Sequence, residues 1–165
     1  MRRVFGYGSL VNRRTQDFGG DRVVLRGWRR VWVTTAARPA AFLSAEPWEG
    51  EIEGLAFDVP DADWPELLKR EAQYEALPAG DALVFSVPEA NQTDGEAPIL
   101  RSYLDVVLQG YLAEFGADAL PRFMATTASW ERGIYDDRAD PIYPRAQVLT
   151  AEETALFDQV LAELP

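Results

Sequence analysis

Strand-like patterns crowd the first half of this 165-residue chain and helical patterns the second, an order that favours an α+β domain over a doubly wound one. Residues 4–7, 23–35, 41–45, 51–59 and 83–87 alternate or cluster β-branched and aromatic side chains between turn signals, which predicts five strands. Residues 88–98 are polar and turn-rich and predict an exposed connection. Three helices are expected beyond or between them. One covers 63–75, with Asp63 and Glu66 at capping-box-like spacing. A second covers 101–115, striped by Leu104, Val107, Leu108, Tyr111, Leu112 and Phe115 and ended by Gly116. The third covers 151–164, opened by Thr150 with Glu153 three residues on. Residues 119–126 add a shorter helical turn. With 47% apolar residues and no internal repeat, the whole chain 1–165 reads as a single domain with an ordinary core.

Composition narrows the chemistry sharply. The chain has no Cys, so thiol nucleophiles, disulfides and thiolate metal sites are excluded. It also has no His, which removes the commonest general base, the Ser-His-Asp arrangement and nearly every zinc site. Acid–base work falls to Glu, Asp, Tyr or the lone Lys69. A net charge of −11 argues against nucleic acid and anionic membranes as partners. No apolar run is long enough to span a bilayer, Arg2-Arg3 lead directly into a strand, and a cytoplasmic setting is expected. The basic cluster Arg26, Arg29 and Arg30 reads as a solvated strand face. Asp136, Asp137 and Asp140 miss the calcium-loop spacing and read as a solvated turn.

Gly6-Tyr7-Gly8-Ser9-Leu10 follows the first strand directly. Glycines flanking Tyr7 let the backbone turn and approach a ligand, and the amides of Ser9 and Leu10 are suited to a carboxylate or an oxyanion. A dinucleotide fingerprint is excluded, because Val11 stands where a third glycine is needed and no helical pattern follows.

A carboxylate on an apolar helix face is the second feature. Stepping about 100° per residue from Leu67 places Trp64 near 60°, Leu68 near 100° and Glu71 near 40°. Glu71 therefore falls inside the apolar arc, while Lys69, Arg70 and Gln73 project away. A dehydrated carboxylate has a raised pKa, the condition for a glutamate that gives and takes protons near neutrality. Glu75, one turn on, is a second candidate.

Taken in order, Val4-Phe5-Gly6-Tyr7-Gly8-Ser9-Leu10, then Leu25-Arg26-Gly27-Trp28-Arg29-Arg30-Val31-Trp32, then Leu68-Lys69-Arg70-Glu71 resembles the signature of the γ-glutamylcyclotransferase-like superfamily, with its ChaC-type and AIG2-like branches. Ser102-Tyr103-Leu104-Asp105 and residues 137–145 resemble bacterial members of that group. The segment after Glu71 departs from the ChaC pattern: only Ala72-Gln73 precede Tyr74, and the expected glycines are absent. The resemblance implies a small mixed β-barrel surrounded by helices. It implies release of 5-oxoproline from a small γ-glutamyl substrate without metal or cofactor. By the same resemblance, Tyr7, Gly8, Ser9 and Leu10 bind the glutamyl part and Glu71 is the general acid/base. Arg138, Arg145 and Arg3 are further candidates for the substrate carboxylate. The alternative is a binding protein that keeps this pocket without turnover. No oligomeric state is read from the sequence.

Overall fold

A computed structural model describes residues 1–164. Among the described residues eight strands form one mixed sheet, and four α-helices accompany it. Its centre is a hairpin of two long strands, β2 (Asp21–Thr34) and β3 (Ala41–Val59), paired antiparallel from Asp21↔Ala56 to Thr34↔Ala41 with a bulge between Arg26 and Trp28. β1 (Arg2–Gly6) runs antiparallel to the end of β3, with Val4 opposite Phe57 and Gly6 opposite Leu55. On its other side β1 pairs in parallel with β5 (Ala82–Ser86), which forms a hairpin with β4 (Glu75–Ala79). Two-residue strands complete the sheet: β6 (Ile99–Leu100) beside β3, β7 (Thr127–Ala128) beside β2, and β8 (Ile134–Tyr135) beside β6. The main path of pairings is open, running β4-β5-β1-β3-β2-β7.

The α+β order is thus observed, with two differences. The expected strands 41–45 and 51–59 are one strand of 19 residues. Glu46-Pro47-Trp48-Glu49-Gly50 looks like a turn in sequence, yet here only β2 flanks β3, because β1 reaches no further than Leu55. Proline is tolerated on such an edge, where no second neighbour needs its missing N–H. The predicted helix 63–75 is shorter. α1 (Trp64–Arg70) stops at Glu71, and a turn returns the chain into β4, a strand the sequence pattern did not reveal. Asp63 makes no side-chain cap, and Glu66 pairs instead with Lys69.

The other helices lie where periodicity put them: α2 (Arg101–Phe115), α3 (Ala119–Ala125) and α4 (Ala151–Ala162). Thr150 and Glu153 form the predicted capping box of α4, each accepting from the other's backbone N–H. Every residue of α2 from Ser102 to Tyr111 is buried, more than one apolar stripe requires. The extra burial comes from a 3₁₀ turn at Ser9–Val11, which lies across α2 at Gly110. A Cβ at Gly110 would sit 2.6 Å from the Asn12 nitrogen, so only glycine permits this crossing. Asn12 Nδ2 completes the joint by donating to Val106 O at 2.9 Å and Gln109 Oε1 at 3.0 Å. Among the described residues no helix is long and apolar enough to cross a membrane.

Candidate active site

Glu71 and the residues Tyr7, Gly8, Ser9 and Leu10 line one small cavity of about 30 Å³, together with Leu43, Tyr74, Phe85 and Tyr103. The loop leaves β1 and enters the Ser9–Val11 turn, where Val11 N donates to Gly8 O and Asn12 N to Ser9 O. Ser9 and Leu10 begin that turn, so their own N–H groups have no acceptor within it. Neither glycine of the loop adopts a positive φ; Gly8 has φ −124° and ψ −125°. Gly8 serves close approach instead, since a Cβ there would come within 3.1 Å of the Tyr103 hydroxyl.

Glu71 enters the cavity from the end of α1, at φ −101°, ψ 36°, with its N–H on Leu67 O. Its side chain is 13% exposed. Burial pushes its pKa up, and the Arg70, Arg38 and Arg145 guanidinium groups oppose that rise. The helical projection placed it correctly relative to Leu67, which is buried. Leu68, however, is exposed, and Arg70, expected to project away, turns inward. Arg70 donates to Ser9 Oγ at 3.1 Å and to Thr15 O at 2.6 Å, and lies 3.7 Å from Glu71 Oε1. It thereby ties Glu71 to the loop. Burial lowers the Arg70 pKa, with nearby Tyr143 and Glu71 among the groups opposing it.

Three tyrosines wall the cavity, and the sequence reading weighed only Tyr7. The Tyr7 hydroxyl donates to Phe85 O, and Tyr74 Oη to Leu43 O at 2.7 Å. Burial, reinforced by Glu71 and neighbouring phenols, holds Tyr7, Tyr74 and Tyr103 well above the usual phenol range, so all three are neutral donors near pH 7. Tyr103 sat outside the expected stripe of α2. It would have been legible only by reading that helix as buried on more than one side.

Arg30 corrects another expectation. It is 1% exposed rather than part of a solvated face. Its Nε donates to Tyr7 O at 2.9 Å, and its Nη atoms to Thr126 Oγ1, Glu53 O and Tyr111 Oη at 2.8, 2.9 and 2.6 Å. Tyr111 Oη also reaches Tyr7 O at 2.8 Å. The backbone immediately before Gly8 is therefore held by a buried cation and a phenol.

Other candidates lie elsewhere. Glu75 is exposed at the start of β4 and lines no part of the cavity. Arg138 binds Asp105 through two bonds of 2.6 and 2.9 Å and Asp158 at 2.7 Å, which occupies it in structure. Arg3 is shared among Asp21, Asp58 and Asp81. Arg145 is exposed beside the cavity's outer wall. Asp137 is buried rather than solvated; it accepts from Ser102 N at 2.7 Å and from the Ser102 hydroxyl, capping α2 from a distant loop.

No protein-family model matches the chain, and no curated protein matches it. Solved structures do. The crystal structure of YkqA from Bacillus subtilis aligns with a TM-score of 0.58 at 21% identity over 78% of this chain. The match spans 56% of the YkqA chain. Uncharacterized protein loc79017 from Homo sapiens aligns with a TM-score of 0.60 at 10% identity, covering 97% of this chain and 98% of that one. At these identities the likeness is one of fold.

Proposed function

We propose that this chain is a γ-glutamyl cyclotransferase that releases 5-oxoproline from a γ-glutamyl amide, with Glu71 as general acid/base. The observation that carries the reading is that Glu71 and the Tyr7–Leu10 loop line one cavity. The ordered sequence motifs and the shared fold support it. A Glu71 locked in a buried ion pair far from the loop would have favoured a binding protein; here its nearest cation is at 3.7 Å and itself bonds the loop.

In this mechanism the glutamyl group curls so that its α-nitrogen meets its own γ-carbonyl. Holding that geometry supplies much of the rate, because the attack is intramolecular. Glu71 takes a proton from the α-ammonium and frees the nucleophilic lone pair. As the new C–N bond forms, the amides of Ser9 and Leu10 stabilise the oxyanion; one such donor is typically worth about 3 kcal/mol. The tetrahedral centre collapses by breaking the bond to the leaving nitrogen. The two protons lost by the attacking nitrogen balance the two the leaving nitrogen gains, and Glu71 carries them in turn. A serine nucleophile is not part of this scheme, since the Ser9 hydroxyl accepts from Arg70 and the chain has no His to activate it.

The test is a panel of γ-glutamyl compounds, glutathione included, assayed for 5-oxoproline. Turnover of at least one member is expected; binding without product from any would replace the enzyme with the binding protein.

A further inference from the structure

A second, larger concavity of about 310 Å³ adjoins the Glu71 cavity, lined by Phe42, Leu100, Ile142 and Tyr143 and flanked by Arg38 and Arg145. Its volume is in the range of small-ligand sites. One aromatic layer separates the two spaces. Tyr103, a wall of the Glu71 cavity, packs edge-on against Phe42 at 4.9 Å and against Tyr143 at 5.0 Å, both of which line the groove.

The flanking charges are unusual for so acidic a chain. Among the described residues, the side chains of Arg14, Arg38 and Arg145 alone of the sixteen basic residues make no hydrogen bond or ion pair with protein groups, although 27 carboxylates are available. Two of these three stand on this groove. The Arg38 guanidinium lies over the Phe42 ring at 4.4 Å, which holds it at the groove without neutralising it. Both arginines are also close enough to Glu71 to oppose the rise in its pKa.

We propose that this groove holds the leaving half of the substrate, and that this half is an α-amino acid with a large apolar side chain, its carboxylate held by Arg38 and Arg145. The inference rests on the cyclotransferase reading and specifies its substrate class. Apolar walls accept the side chain, unpaired guanidinium groups accept the carboxylate, and the intervening tyrosines mark the position of the scissile amide. The competing space is a cleft of about 570 Å³ beyond Arg70, which Arg145 also borders; its lining carboxylates Asp17, Asp58, Asp63 and Glu66 would suit a cationic amine. Arg70 stands between that cleft and Glu71, already bonded to Ser9 and Thr15.

Binding to the Glu71→Gln variant by calorimetry, and 5-oxoproline formation by the wild type, are measured for four probes. These are γ-glutamyl-phenylalanine, γ-glutamyl-glycine, γ-glutamyl-phenethylamine and γ-glutamyl-putrescine. γ-Glutamyl-phenylalanine should bind about tenfold more tightly than each of the others, as expected for one buried aromatic group and one charge-assisted contact. Arg145→Ala and Arg38→Ala should each narrow its advantage over phenethylamine, and Ile142→Ser its advantage over glycine. Equal binding of the four, preference for putrescine, or an advantage that survives both arginine changes overturns the proposal. Product released equally from all four sinks this inference and leaves the cyclotransferase standing. Arginine-dependent binding without product from any probe does the reverse, and no binding at all overturns both.

Discussion

Glu71 and Arg30 are both buried charges, but they were unequally legible. Glu71 was visible because a carboxylate interrupts an apolar arc at helical spacing. Arg30 was not, because an alternating strand gives no sign of which face will be covered. The two lead to opposite stability behaviour. Burial raises the Glu71 pKa above its ordinary 4.5, so the fold favours the protonated form. Stability from this group is full below pH 4.5 and declines as pH climbs through the raised folded value. Glu71→Gln carries no charge at any pH, so its Tm should exceed wild type at pH 7 and match it at pH 4. A Tm below wild type at pH 7 would contradict this. Arg30→Met should destabilise by about 1–3 kcal/mol for each carbonyl left unpaired at Tyr7 and Glu53, read from urea unfolding. An unchanged midpoint would show that Tyr111 alone holds the Tyr7 backbone.

At the scale of elements, α2 is the part on which the loop depends. Four of the six positions in its predicted stripe, Leu104, Val107, Leu108 and Tyr111, are buried and Leu112 and Phe115 partly so, yet the stripe omits Tyr103 and Gly110, because it describes a one-sided helix and this one is covered nearly all round. Likewise α1 ends five residues before the sequence pattern does, since helical periodicity cannot register a turn that precedes a new strand. Glu71 still reached the expected place because the last helical turn delivers it. Gly110→Ala tests the loop–helix joint. The added methyl meets Asn12 and Val11 backbone at 2.6–2.9 Å, so a loss of about 1–3 kcal/mol is expected, together with a higher KM as the Ser9–Leu10 amides shift. A stable variant with unaltered KM would mean that the joint does not set the site.

Across the whole molecule, the order of strands and helices was readable, and the long-range ion pairs were not. No local pattern announces that Arg138 will join Asp105 on α2 to Asp158 on α4, 33 and 20 residues away. That bridge anchors the loop bearing Tyr143 and Arg145. Arg138→Ala should leave the buried Asp105 carboxylate weakly paired with Arg101 alone, at 3.6 Å, and cost about 1–3 kcal/mol in thermal unfolding. The proposed ring-closing chemistry depends on a more compact arrangement, one carboxylate and one amide-lined turn on the same cavity. Its most direct measurement compares 5-oxoproline release by wild type and Glu71→Gln on the best γ-glutamyl substrate, with circular dichroism confirming that both are folded. The account predicts a fall of about 10²–10⁴-fold in kcat for the variant, the usual contribution of a general acid/base. A folded variant that turns over at the wild-type rate would contradict it.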